Sequence, residues 1–232
     1  MTTNSELRRL ARRHLDGRWG DMVLCTLLYY IISLFVSVFA QLGNLFQEGE
    51  LFSGLQMLAG PFIALSLLLA FLLIPLEWGL YVNFLRVRRE EQSDIASLFR
   101  GYADFWRVFS TMFLLQLYTL LWSLLLIVPG IVKALSYALT PFILKDYPQL
   151  SRGAAIRLSR QMMSGNKGRL FLLYLSFLGW AFLALFTCGI GFLWLVPYMG
   201  VSLAEFYEDA KSTYENAIGG PAQEPVAAGA GE

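Results

Sequence analysis

Charge is what this chain lacks most. Asp, Glu, Lys and Arg make up 15% of its 232 residues, against roughly 25% in ordinary soluble domains. Together with 56% hydrophobic residues and a mean hydropathy of +0.54, that scarcity argues against a soluble globular domain. Histidine is almost missing, and His14 is the only one. A His-based metal site or a Ser-His-Asp triad is hard to build from one imidazole. Cysteine is limited to Cys25 and Cys188, both inside apolar runs. There they read as small packing residues, not as a disulfide or metal framework. The sequence has no G-x-x-x-x-G-K-[ST], no H-E-x-x-H and no G-x-S-x-G. Only carboxylates are left for catalysis, and none is paired in a way that points to it. The expectation is a non-enzymatic chain with no metal, no cofactor and no nucleic-acid partner.

What is present is apolar sequence in long blocks. Four tracts stand out: Asp21 to Leu42, Gly60 to Leu85, Val108 to Leu144 and Leu170 to Tyr207. About 20 residues cross a hydrocarbon core about 30 Å thick. The last two tracts are too long for one crossing each. Pro129-Gly130 interrupts the third and Gly189-Ile190-Gly191 the fourth, and Gly and Pro commonly mark turns in such runs. The pattern therefore predicts an all-α polytopic membrane protein, with six helices arranged as three hairpins. Residues 1–211 form a single membrane domain of three units, about 5–85, 94–146 and 150–208. Residues 212–232 are small, polar and rich in Gly and Pro, and read as a disordered tail. Val38-Phe39-Ala40 resembles a signal-peptidase site, but the apolar stretch before it is long for a signal peptide.

The placement of the few charges fixes an orientation. Of the 18 basic residues, all but Lys133 fall before the first hairpin, between hairpins or after the last. Such asymmetry predicts cytoplasmic N- and C-termini in a bacterial inner membrane. The basic segments are also patterned. Leu7, Leu10, Ala11 and Leu15 recur on one helical face. So do Ile95, Leu98, Phe99, Tyr102, Phe105 and Trp106, and likewise Leu150, Ala154, Leu158 and Met162. Each is expected to be a basic amphipathic helix lying in the inner headgroup zone and preceding its hairpin. This gives a weak internal repeat, echoed by Pro75, Tyr137 and Pro197, each eight residues before Asn83, Lys145 and Glu205. An extra outer loop around Asn44 to Leu58 lengthens the first unit.

A few polar residues sit inside the apolar blocks. Glu77 lies eight residues above Leu85, about 12 Å into the bilayer. A carboxylate at that depth is either functional or a protonated group bonded to a neighbouring helix, aided by backbone groups freed at Pro75. Lys133 and Glu205 lie near helix ends and are expected to reach water by snorkelling. Ser136, Tyr137 and Thr140 form a stripe on one helix, and Gln116, Tyr118, Thr119 and Ser123 form another. Each faces a partner helix or a wet cavity. Arg12, Arg13, Arg18, Arg107, Arg157, Arg160, Lys167 and Arg169 are the expected contacts to anionic lipid headgroups.

From Leu124 to Lys211 the chain carries PGIVKALSY, TPFIL, AIRLSRQMMSGNK and GIGFLWLVPYM with a later FYED. These pieces resemble a bacterial domain-of-unknown-function family of integral membrane proteins. That family is distantly similar to the membrane domain of some glycerophosphoryl diester phosphodiesterases. The resemblance implies a topology and brings no activity and no catalytic residues. Two functions fit the residues. One is a module that binds or organises lipids, a membrane-protein partner or a second copy of the chain. The other is a small transporter or flippase for a lipid-like solute. A polar cavity between the hairpins, holding Glu77 and the Ser136-Tyr137-Thr140 stripe, would favour the second.

Overall fold

The computed structural model describes residues 2–48 and 56–219. Its elements are α1 (Asn4–Leu15), α2 (Trp19–Glu48), α3 (Ala59–Arg88), a 3-10 helix (Ile95–Tyr102), α4 (Phe105–Leu125), α5 (Ile127–Tyr137), α6 (Thr140–Asp146), α7 (Arg152–Met162), α8 (Lys167–Leu175), α9 (Leu178–Phe186) and α10 (Phe192–Ile218). No strand occurs among the described residues. Five stretches are long and apolar enough to cross a membrane: Trp19–Gln47, Gln56–Arg88, Phe105–Leu125, Ile127–Asp146 and Lys167–Phe186. α10 begins apolar and then turns acidic at Glu205, Glu208 and Asp209.

α2 and α3 have 30 residues each, about 45 Å of helix and more than a hydrocarbon core needs. The surplus has a use. The first half of α3 exposes Leu65, Leu67, Leu68 and Phe71, whereas Leu76, Trp78, Leu80, Val82, Phe84, Leu85 and Val87 are buried. α3 therefore leaves an apolar surface and enters a packed core. Leu34, Phe35, Leu124 to Val128, Phe182 and Phe186 extend the apolar surface around the molecule. Exposed area of this kind marks a membrane-facing belt.

The core is built on α3, α6 and α10. The Phe142 ring meets Tyr81 edge-on at 5.7 Å and stacks on Tyr207 at 5.2 Å. A Cβ at Gly200 would run into the Phe84 ring, so α3 and α10 touch where only glycine fits. A charged layer closes this end. Asp146 accepts two hydrogen bonds from Arg89, at 2.8 and 2.6 Å, and one each from Lys211 and the Tyr207 hydroxyl, both at 2.9 Å. Arg89 also reaches Glu208 at 2.7 Å.

Several expectations change here. The break in the third tract is at Leu126, which is extended (φ −160°, ψ 138°), and not at Pro129-Gly130. Pro129 falls in the first turn of α5, where its missing N–H has no helical partner to lose. Gly130 instead lets α5 lie against Ser123, whose Cα is 2.7 Å from where a Cβ would be. The stripes of α1 (Leu7, Ala11, Leu15) and α7 (Ala154, Leu158, Met162) are buried against the protein's own helices, so they do not face the lipid headgroups. Pairing with a hydrophobic core satisfies an apolar stripe as well as a membrane does. The third segment is a 3-10 helix and not an α-helix, and it alone keeps an exposed apolar face at Ile95, Phe99 and Tyr102, joined by Trp106. α2 continues through the start of the expected outer loop to Glu48, and 49–55 lies outside the described residues. α10 runs to Ile218, so residues 212–218 of the expected tail are helical. Residues 220–232 lie outside the described residues.

Candidate functional site

Glu77 follows Pro75 by two residues on α3. Proline has no N–H, so the preceding turn of α3 has a carbonyl without its helical donor. That carbonyl belongs to Phe71, and at the next one along the Tyr102 hydroxyl donates to the Leu72 carbonyl at 2.6 Å. The 3-10 helix is pressed onto α3 at two glycines. A Cβ on Gly79 would strike the Leu98 carbonyl, and one on Gly101 would strike the Pro75 carbonyl. On the other side Trp78 Nε1 donates to the Pro141 carbonyl at 2.9 Å, tying α3 to α6. The residues flanking Glu77 are thus fixed, and the carboxyl is aimed by the backbone.

Across from it Gln116 of α4 donates from Nε2 to Glu77 Oε2 at 3.2 Å. The two share an open cavity of about 750 Å³ bounded by α3, α4, α5, α8 and α10. Its polar groups are Glu77, Gln116, Thr119, Ser123 and the Tyr81, Tyr137 and Tyr174 rings, and Met112, Leu115, Leu120, Ile131, Leu135, Phe171 and Leu203 make the rest apolar. Thr119 and Ser123 donate to carbonyls of their own helix at 2.9 and 2.8 Å, which leaves their oxygens free to accept. The same Glu77–Gln116 pair borders a second cavity of about 400 Å³ between α2, α3 and α4. The arrangement offers an apolar wall with a carboxyl-amide pole, which is chemistry for binding an amphiphile. No cluster of three metal-ligating side chains occurs among the described residues.

The other expected residues scatter. Tyr137 joins Glu77 in the cavity, but Ser136 and Thr140 do not line it. The Ser136 hydroxyl donates to the Val132 carbonyl, and the Ser136 carbonyl accepts from Ser159 at 2.9 Å. Thr140 is fully buried in the core. The Lys133 amine lies 4.5 Å over the Trp122 ring, a cation–π contact. Glu205 does not reach water. It is 3% exposed, 3.1 Å from His14 Nε2 and 3.3 Å from Arg88. Burial raises its pKa to about 6, against the opposing pull of Arg88. Burial and the Arg88 guanidinium lower that of His14, while Glu90 raises it. The lone histidine, which sequence alone did not single out, thus pins α1 to α10.

The basic residues divide in two. Arg18 donates to the carbonyls of Val87 and Glu90 at 3.2 and 3.1 Å. Arg107 bonds the Leu144 carbonyl at 3.1 Å. Arg169 pairs with Asp209 at 2.6 Å and bonds the Thr2 carbonyl. These three hold the protein together and are not free for headgroups. Arg12 lies 5.6 Å from the Tyr198 ring at the edge of an apolar groove holding Trp180 and Trp194. Arg13 is exposed, and Arg157, Arg160 and Lys167 line one cleft.

No curated protein and no solved structure matches the chain. Residues 1–140 and 124–213 both match the family model described as Protein of unknown function (DUF975). The two matches overlap and reach from the first residue through most of α10, so an apolar, all-helical chain with five stretches able to cross a membrane belongs to this family of unknown function.

Proposed function

We propose that this protein is a non-catalytic integral membrane protein of the bacterial inner membrane that holds a lipid-like amphiphile in the Glu77 cavity. Its six membrane helices pair as α2–α3, α4 with α5–α6, and α8–α9 with α10, and both termini lie in the cytoplasm. The observation that carries the reading is the Glu77–Gln116 hydrogen bond at the polar pole of a cavity of about 750 Å³ with mostly apolar walls. An intramembrane carboxyl is costly unless it has a use or a partner. Gln116 is one neutral partner, and the second carboxyl oxygen is left for a ligand. A hydroxyl or amine on an otherwise apolar molecule would complement it. A lipid-organising role resting on three amphipathic helices at the inner leaflet is less favoured, because α1 and α7 spend their apolar faces inside the protein.

Transport is the second reading. It is favoured by the Glu77–Gln116 pair standing between two cavities, about 750 and 400 Å³, so that parting the pair would join them. The test is native mass spectrometry of the purified chain with lipid extraction. The wild type is expected to carry an amphiphile that Glu77→Gln and Gln116→Leu lose and Thr140→Val keeps. An empty wild type, or equal occupancy in all four, would sink the binding reading. If binding holds, reconstituted vesicles should move the extracted amphiphile between leaflets only where transport is also right.

A further inference from the structure

We infer that the cleft formed by Arg157, Arg160, Gln161, Ser164 and Lys167 is a binding site for a phosphate group, separate from the Glu77 cavity and not dependent on it. The cleft has a volume of about 430 Å³. What distinguishes it is the kind of polar group it collects. Arg86, Arg88, Arg89, Arg169, Lys145 and Lys211 all have carboxylate partners. Arg157, Arg160 and Lys167 form no ion pair among the described residues, and no acidic residue lines the cleft.

The neutral lining groups are turned the same way. The Gln161 side-chain oxygen accepts from the Tyr214 hydroxyl at 3.1 Å. That contact occupies the acceptor end and leaves the amide NH2 to donate. Ser164 adds a hydroxyl. The cleft therefore presents two guanidiniums, an ammonium, an amide NH2 and a hydroxyl, all able to donate to an anion. Arginine forks suit phosphate oxygens in particular.

The scaffold beneath is rigid. Ala154, Ala155, Leu158, Ser159 and Met162 bury the opposite face of α7, and Ser159 donates to the Ser136 carbonyl at 2.9 Å. Arg157 and Arg160 stay on the outer face as a consequence. Lys167 is the first residue of α8, which opens the stretch Lys167–Phe186 able to cross the membrane. Asn166 provides no side-chain cap for that helix, because its amide bonds the Met162 carbonyl at 3.0 Å. The positive end of α8 adds to the attraction for an anion. A phosphate there could belong to a phospholipid headgroup at the bilayer edge or to a soluble phosphate.

The test uses the full chain in nanodiscs and in detergent. Its probes are phosphatidylglycerol, phosphatidylcholine and inorganic phosphate, read by native mass spectrometry. Wild type is expected to retain phosphatidylglycerol over phosphatidylcholine. Arg157→Gln, Arg160→Gln and Lys167→Gln should each lower that retention about fivefold, from about 1 kcal/mol per cation. Arg152→Gln, an exposed cation on the same helix outside the cleft, controls for lost charge and should leave it unchanged. Unchanged melting temperatures would show that the variants fold. Millimolar inorganic phosphate that displaces the lipid, or binds alone with the same sensitivity to the variants, assigns the site to a soluble phosphate. Failure of displacement assigns it to the headgroup. No lipid or phosphate binding in wild type, or cleft variants that behave like Arg152→Gln, would overturn the inference.

Discussion

Glu77 and Glu205 are both carboxyls in largely apolar segments, and their neighbours separate them. Glu77 has one neutral partner and an open cavity. Glu205 has a guanidinium, an imidazole and almost no solvent. The consequence for Glu205 is a pH dependence of stability. Its folded pKa, about 6, lies above the ordinary 4.5. The folded state therefore binds more protons than the unfolded state between these values, and stability falls as pH rises through them. The full effect is about 2 kcal/mol. His14 and Arg88 face the carboxyl directly, and Glu90 and Glu208 add negative charge nearby. Thermal melts of wild type and Glu205→Gln should diverge, with wild type losing ground to the variant from pH 4.5 to 6. A constant difference across that range would count against the burial argument. Sequence periodicity placed Glu205 near a helix end, whereas α10 runs from Phe192 to Ile218 and holds it near mid-helix. It could not show that α1 folds back to cover it, because that contact joins residues far apart in the chain.

At the level of elements, what could be read from sequence was helix existence, and what could not was what each apolar face touches. The stripe of α1 looks the same whether it meets lipid or α10. The 3-10 helix shows the reverse limit: its spacing fits an α-helical face, yet its fit to α3 depends on backbone contact at Gly79 and Gly101. Gly79→Ala would push a methyl into the Leu98 carbonyl. The 3-10 helix must then lift from α3, and overpacking of this sort costs about 1–3 kcal/mol. The expected result is a lower melting temperature with earlier protease cleavage between Glu90 and Tyr102. Gly60→Ala, where a Cβ meets open space, should leave both unchanged. The polar stripe of α5 divided for a related reason. Ser136 and Tyr137 are neighbours about 100° apart on α5, and Thr140 lies past the turn at 138–139 in α6, so Tyr137 reaches the cavity while Ser136 and Thr140 turn to α7 and the core.

At the scale of the molecule, the one-sided distribution of basic residues now corresponds to a packed layer in which many of them are spent on Asp146, Glu205, Glu208 and Asp209. Asp146 is its centre. Removing the charge from this buried carboxylate leaves Lys211 without its partner and Arg89 with Glu208 alone, and breaking a buried ion pair costs about 3–5 kcal/mol. Asp146→Asn should therefore melt well below wild type, whereas Asp16→Asn, at an exposed helix end, should not. The same distribution is the basis of the orientation we propose, and the protein's own two thiols can test it. Cys188 is exposed in the turn between α9 and α10, beside Leu27, Ile31 and Leu34 of α2, and Cys25 is buried in the core. A membrane-impermeant maleimide applied to intact spheroplasts should label wild type at one thiol. Cys188→Ser should abolish the label and Cys25→Ser should keep it. An introduced Arg160→Cys in the Cys188→Ser background should react only after the membrane is opened. Reaction of Arg160→Cys in sealed spheroplasts, with Cys188 silent until lysis, would invert the topology and move the phosphate cleft to the outer face.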